Sequence, residues 1–236
     1  MKFIKLICIL FLISVPLFSE EFEGYKLGEK QQFEGNRIFD EMVRSIGNVD
    51  QIKTIRTIGT ARQPMELGTI SFPVLVEVKF PGKLRIKFED KEFIIDNDSG
   101  WLKYPKGYYE NLPEKYINTI SGNLNRNLIQ IAQSKTDFEI KLLGEKTVLE
   151  RECYELELMR DDSVFNLFVD IKKKLPVQMI YFIDTKQIIR TYLEYKIVSG
   201  VNYPIHTIST DTEDNLISEI VIETVEFNIK IEGFNN

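Results

Sequence analysis

Ile70-Ser71-Phe72-Pro73-Val74-Leu75-Val76-Glu77-Val78-Lys79-Phe80 places an apolar residue at every second position. Ile70, Phe72, Val74, Val76, Val78 and Phe80 share one parity, whereas Ser71, Glu77 and Lys79 fall on the other. Successive side chains of a strand point to opposite faces, so this pattern predicts a long strand with one dry face. Pro73 brings no N–H and suits an edge or a bulge. Pro81-Gly82 supplies a turn. Leu84, Ile86 and Phe88 then alternate with Arg85, Lys87 and Glu89 and complete a hairpin. Asp98-Ser99-Gly100 is a further turn and leads into Trp101-Leu102-Lys103-Tyr104.

The same period of two returns after Asp137. Strands are expected at about 138–148, 152–160, 163–172, 176–184, 187–198, 203–212 and 216–230. Their turns carry Asp161-Asp162, Lys172-Lys173-Lys174, Asp184-Thr185, Ser199-Gly200 and Glu213-Asp214-Asn215. Short turns between consecutive strands imply an antiparallel meander. Two stretches keep a helical period instead. Ile38, Met42 and Ile46 step by four, widened by Phe39 and Val43, and predict a helix over about 31–46 that stops at Gly47. Residues 20–30 are polar and acidic and are expected to be a loose lead-in. Ile117, Ile120, Leu124, Leu128 and Ile131 predict a second helical region from Glu114 to about Ser134, with a break near Gly122. The expected fold is therefore α+β and mainly antiparallel β, in a single domain. A sheet with this many strands must twist and curl, and the two amphipathic helices are available to cover its apolar face. The interior beneath them is either packed or a cavity.

Composition excludes several functions. The chain has 236 residues, 30 Lys+Arg, 36 Asp+Glu and a net charge of −6. Such an acidic balance argues against nucleic-acid binding, which leaves a basic footprint. With 43% hydrophobic and 28% charged residues, the chain is globular rather than disordered. Lys2 and Lys5 precede an apolar run from Leu6 to Val15, which is too short to span a bilayer. Residues 1–19 fit a secretory signal peptide cut after Ser19, which leaves 20–236 as one domain; the alternative is a retained N-terminal anchor. Cys8 lies inside the apolar run, after Ile7, so no lipid anchor is expected. Cleavage removes two lysines and no acid, and the net charge becomes −8. It also removes Cys8 and leaves Cys153 without a disulfide partner.

The order of elements resembles the LolA/LolB-like superfamily of periplasmic lipoprotein-sorting proteins. The resemblance is carried by Val43-Arg44-Ser45-Ile46-Gly47, by Val78-Lys79-Phe80-Pro81-Gly82-Lys83-Leu84-Arg85, and by Asp98 to Tyr104. It continues through Gly144-Glu145-Lys146, Cys153-Tyr154-Glu155-Leu156, Asp170-Ile171 with Leu175-Pro176-Val177, and finally Tyr195, Gly200-Val201 and Tyr203-Pro204. These are turn and strand motifs, so their order and spacing matter more than any one of them. The resemblance implies an unclosed half β-barrel of strongly curved sheet with a helical lid. It implies a soluble periplasmic carrier whose hydrophobic cavity takes acyl chains of lipoproteins or free lipid and moves them toward the outer membrane. The partners it implies are an inner-membrane release machinery and an outer-membrane acceptor; a monomer is expected, and no cofactor. An alternative on the same fold is a sensor of lipid or lipoprotein whose output is a protein contact. The resembling carriers place an arginine directly before the proline of the turn, where its hydrogen bonds hold the lid shut. Phe80 stands there in this chain, so that latch is missing.

On this reading Phe72, Val74, Val76, Val78, Phe80, Leu84, Ile86, Phe88 and Trp101 line the acyl cavity. Ile117, Ile120, Leu124, Leu128 and Ile131 form the lid. The bland alternative makes the first set ordinary core and the second a fixed core helix. Trp101 with Tyr104, Tyr108 and Tyr109 would suit a cavity mouth, where amphipathic rings meet water. His206 is the single histidine, and no nucleophile is recognisable beside it. A hydrolase built on Cys153 and His206 is the third reading; Cys153 in its alternating strand reads first as a small buried residue. No HExxH, CxxC or phosphate-binding glycine loop occurs. No catalytic residue, metal site or enzymatic activity is therefore expected.

Overall fold

The structure, a computed structural model, describes residues 17–66, 68–161 and 163–234, with side chains from Leu27 onward. Helix α1 (Leu17–Ile46) is followed by strands β1 (Thr54–Met65), β2 (Gly68–Lys79), β3 (Lys83–Phe88), β4 (Lys91–Asp96), β5 (Ser99–Lys103) and β6 (Tyr109–Asn111). Helices α2 (Glu114–Asn125) and α3 (Leu128–Gln133) come next. Seven strands complete the chain: β7 (Glu139–Val148), β8 (Arg151–Arg160), β9 (Ser163–Asp170), β10 (Pro176–Ile183), β11 (Lys186–Val198), β12 (Val201–Thr210) and β13 (Leu216–Phe227).

All thirteen strands form one antiparallel sheet in the order β6-β5-β4-β3-β2-β1-β13-β12-β11-β10-β9-β8-β7. Every pairing but one joins consecutive strands, as the meander expectation required. The exception is β1 with β13, which seams the two halves of the chain. The sheet stays open, with β6 and β7 at its free edges. This is the unclosed half-barrel of the expected α+β class. The turns show why the strand ends were readable. Asp161, Lys174, Asp184, Ser199 and Asp214 all have positive φ at hairpin tips, a conformation that Asp tolerates better than most residues.

Two expectations need correction. The lead-in at 20–30 is helical, because α1 already begins at Leu17; Glu- and Lys-rich sequence of this kind propagates a helix readily. The signal segment lies outside the described residues except for Leu17–Ser19. Pro73 lies in an interior strand, yet β2 pairs with β3 only from Val74 onward. At Pro73 the strand is flanked by β1 alone, so the residue finds a local edge. The second helical region breaks at Arg126-Asn127, not at Gly122, and the Asn127 side chain restarts it by accepting a hydrogen bond from Ile129 N at 2.9 Å. Strand β1 has no counterpart in the periodicity reading.

The core lies between the sheet and α1 with α3. Ile38, Phe39, Met42 and Ile46 from α1 meet Ile140, Leu156, Leu158, Leu167 and Met179 from β7 to β10, together with Ile131 of α3. Gly35 lets α1 approach this closely. A Cβ there would stand 2.9 Å from the backbone of Ile140 and Leu142 on β7. Gln133 Nε2 donates to the carbonyls of Val49 and Ile52 at 2.6 and 2.7 Å and pins the α1–β1 connection. On the opposite face, Glu77 is 4% exposed and accepts from Arg56 and Arg85, both at 2.7 Å. Arg85 also holds the carbonyls of Glu232 and Gly233 at 2.7 Å and ties the C-terminal segment to the sheet.

Gly35→Val should destabilise the protein by about 1–3 kcal/mol through overpacking, measured by urea unfolding. Burial pushes the hydroxyls of Tyr192 and Tyr203 from the usual 10.0 up to about 12. The folded chain holds these protons when the unfolded chain has released them. Their contribution is therefore complete below about pH 10 and is lost as pH rises toward 12. The urea midpoint should fall over that window, and less so in Tyr203→Phe.

Candidate functional site

Paired residues of adjacent strands share a face, so the register sorts the expected site residues directly. Val78 pairs with Leu84, Val76 with Ile86 and Val74 with Phe88. Leu84 pairs in turn with Ile95, and Ile86 with Phe93. All of these point to the helix-covered face. Ile94 pairs with Arg85 on one side and Trp101 on the other. Trp101 therefore sits with the Glu77–Arg85 ion pairs on the opposite face, and its expected place in the cavity lining is corrected. The error is one of parity: Gly100, not Trp101, is the β5 residue that faces the helices. Its missing Cβ makes room for Ile117 and Leu112, whose carbons would lie 2.9 and 3.2 Å away.

The remaining set divides by depth. Val78 and Leu84 are fully buried, and Val76, Phe80 and Ile86 are partly buried against the same core. Phe72, Val74 and Phe88 are half exposed. The rings of Phe72 and Phe88 lie 5.9 Å apart, and those of Phe88 and Phe93 stack at 5.4 Å. Across the seam, Ala61 pairs with both Phe72 and Ile220, and Gly59 with Val74 and Ile222. An apolar strip thus leaves the core under the helices and continues outward over β3, β2, β1 and β13. It grows more exposed until Ile70 and Ile220 are 45% and 37% accessible. Beneath α1 and α3 the sheet face is packed by side chains of the chain itself, with Ile38, Phe39, Met42, Ile46 and Ile131 fully buried. The open apolar surface lies beyond them.

The expected lid also divides. Leu128 and Ile131 belong to α3 and are buried core residues. Leu124 closes α2 and is buried, whereas Ile117 and Ile120 are only half covered. Only α2 has the shallow seating of a lid. Tyr108 and Tyr109 are exposed at the β6 edge, and Tyr104 donates to Glu110 at 2.9 Å.

What holds α2 down was not foreseen. Arg190 on β11 pairs with Met179 on β10 and so faces the helices. Its Nη2 donates to the Asn123 Oδ1 of α2 at 3.2 Å and to the Tyr181 hydroxyl at 3.0 Å. Arg126, at the C-terminal end of α2, stacks its guanidinium on the Tyr181 ring, 4.2 Å from the centroid. Arg190 lies 5.3 Å from the same centroid. A sheet arginine thus bonds to the helix, although at a different place from the one Phe80 occupies. The sequence does contain a signal for it: Arg190 interrupts the otherwise apolar parity of Ile188 and Tyr192. Alongside α2 runs an open groove of about 450 Å³, bordered by Lys115, Thr119, Arg126, Phe182 and Asp184.

The pieces of the hydrolase reading do not meet. Cys153 is on β8 and His206 on β12, four strand spacings apart, or roughly 19 Å along the sheet. His206 Nε2 is 2.8 Å from Glu219 Oε1. Burial pushes the Cys153 thiol above its usual range, the opposite of an activated nucleophile. Among the described residues no group of three His, Cys, Asp or Glu could hold a metal, and no helix is long and apolar enough to cross a membrane.

Comparison with solved structures identifies the fold. A domain named for outer membrane lipoprotein sorting, from Vibrio parahaemolyticus, aligns with a TM-score of 0.64 at 12% identity, over 86% of this chain and 97% of that one. A DUF1329 family protein from Desulfovibrio piger gives 0.63 at 13% identity, over 84% and 95%. A LolA superfamily protein from Nitrosomonas europaea gives 0.58 at 12% identity, over 84% and 94%. The fold is LolA-like. No family model matches the sequence, and no curated protein matches it.

Tyr181→Leu removes the ring beneath both guanidiniums and keeps an apolar side chain. Each contact of this kind is worth about 0.5–1 kcal/mol. Amide exchange in α2 should speed up by roughly tenfold, read by hydrogen–deuterium exchange, with α3 unaffected.

Proposed function

We propose that the chain is a carrier of acyl chains, of lipoproteins or of lipid, acting in the periplasm after removal of residues 1–19 and delivering toward the outer membrane. Residues 20–236 form the binding domain. The chain hands its cargo on between a release machinery at the inner membrane and an acceptor at the outer membrane. The LolA-like fold is compatible with this reading. The observation that carries it is the apolar strip of Phe72, Val74, Phe88, Phe93, Ile220 and Ile222 on the helix side of the sheet. It is continuous with the core and only partly buried, with Ile220 at its exposed end.

An extended apolar surface of this kind is costly unless something occupies it. A fatty tail laid along it gains about 0.8 kcal/mol per buried CH₂. Ile86, Val76 and Phe80 continue the track inward against the core. In this reading Phe72, Val74 and Phe88 are the outer section of the lining and Val76, Phe80 and Ile86 the inner one. Val78 and Leu84 support it from within. Ile117 and Ile120 form the movable cover, and Leu124 anchors its end. The chemistry is binding and release, with no bond made or broken in the cargo.

Phe88→Glu should weaken binding of a fluorescent fatty acid about tenfold, the loss expected when two methylene contacts give way to a charge. Phe88 is half exposed, so the variant should keep the wild-type circular dichroism spectrum. Undiminished affinity in the folded variant would overturn the assignment of the strip.

A further inference from the structure

Arg126 and Arg190 converge on one tyrosine ring with no acid between them. Arg190 gives its hydrogen bonds to the Tyr181 hydroxyl and to Asn123, and Arg126 donates to the same Asn123 Oδ1 at 3.4 Å. These acceptors are neutral. Among the described residues no carboxylate lies within ion-pair distance of either guanidinium, although most other arginines of the protein have one. Burial lowers the Arg126 pKa, and the like charge of Arg190 lowers it further, against the opposing influence of Tyr181. Two neighbouring cations drawn out of water without a counter-charge are costly.

Several donors there are also unspent. Arg126 Nε is buried and bonds to nothing, and so is the Tyr192 hydroxyl. Tyr192 is 3% exposed and reaches the helix side from the same strand as Arg190. Burial raises its hydroxyl pKa, while the charges of Arg190 and Arg126 pull it back down; the hydroxyl thus lies within the field of both cations. A buried polar group without a partner costs free energy that a ligand can restore. The arrangement combines two planar cationic forks and a hydroxyl donor, and neither fork is spent on an ion pair among the described residues. Its complement is a compact anion with several acceptor oxygens, a phosphate or a carboxylate. Arg126 also borders the open groove of about 450 Å³ beside α2, whose rim carries Glu114 and Asp184 as well, the latter paired with Lys115 at 3.2 Å; the volume is in the range of small-ligand sites.

We propose that Arg126 and Arg190, with the Tyr192 hydroxyl, bind the anionic head of an amphiphile whose tail occupies the apolar strip. The tail half of this statement rests on the function proposed above. The head competes with Asn123 for Arg190, so its arrival loosens the bond that holds α2 to the sheet.

The test compares three ligands by calorimetry and thermal shift, each below its micelle concentration: dodecyl phosphate, dodecanol and inorganic phosphate. Wild-type protein should bind dodecyl phosphate at least tenfold more tightly than dodecanol. Arg126→Gln/Arg190→Gln should erase that difference. The two single variants should each lose part of it, and they stand in if the double variant does not fold. Should neither alkyl ligand bind while inorganic phosphate stabilises wild type but not the variants, the tail reading fails and the pair is a site for a free oxyanion. Equal affinity of wild type for dodecyl phosphate and dodecanol would overturn the proposal, as would equal behaviour of wild type and variants toward all three.

Discussion

One face of a thirteen-stranded sheet must be kept from water, and the helices available cover only part of it. This mismatch of area governs the molecule. Where α1 and α3 lie, the interior closes completely: Ile38, Phe39, Met42, Ile46 and Ile131 have no accessible surface. Where they do not reach, the same sheet face carries on, with Phe72, Val74 and Phe88 half exposed. The outer face solves its own problem with charge, through the paired Arg56, Glu77 and Arg85. The helix side has no such device over β1, β2 and β13, so apolar surface persists there.

Helix α2 stands at the boundary between the filled and unfilled regions, and its attachment reflects that. Leu124 is buried, but Ile117 and Ile120 are only half covered. The polar fastening consists of hydrogen bonds to neutral groups, two cations sharing one ring and one exposed ion pair, Lys115 with Asp184 at 3.2 Å. Neutral and cation–π contacts of this type are worth about 0.5–1.5 kcal/mol each, far less than the burial that fixes α1. Such a segment belongs to the low end of the local stability scale, from which moving elements are drawn.

Much of this was legible in the sequence. The alternation from Ile70 to Phe80 identified the inner face of β2, and the acidic and glycine turns marked β7 to β13 within a few residues. Strand β1 escaped because its inner parity holds Thr57, Gly59 and Ala61, residues too small to give a hydrophobic signal. They are small for a reason: a Cβ on Gly59 would stand 2.1 Å from the Val221 carbonyl oxygen across the seam. Trp101 was misplaced because an aromatic residue invites assignment to the interior, whereas the register turns Gly100 inward. Arg190 was visible as a charge among Ile188 and Tyr192, yet its partner Arg126 lies 64 positions earlier and only the fold brings the two together. Pairing β1 with β13 is likewise a long-range fact, with no local sequence mark.

That seam has a consequence for how the molecule comes into being. The first strand made finds its second neighbour in the last, residue Ile55 opposite Phe227. During synthesis or passage through a pore, the N-terminal half can zip β1 to β6 yet must leave one flank of β1 unsatisfied until nearly the entire polypeptide has emerged. Contacts of such wide sequence separation form late and slowly, and open strand flanks invite wrong partners in the interval. The architecture thus postpones its own completion, and a chain stalled short of its final strand would be left as two unjoined fragments of sheet, each with a sticky border.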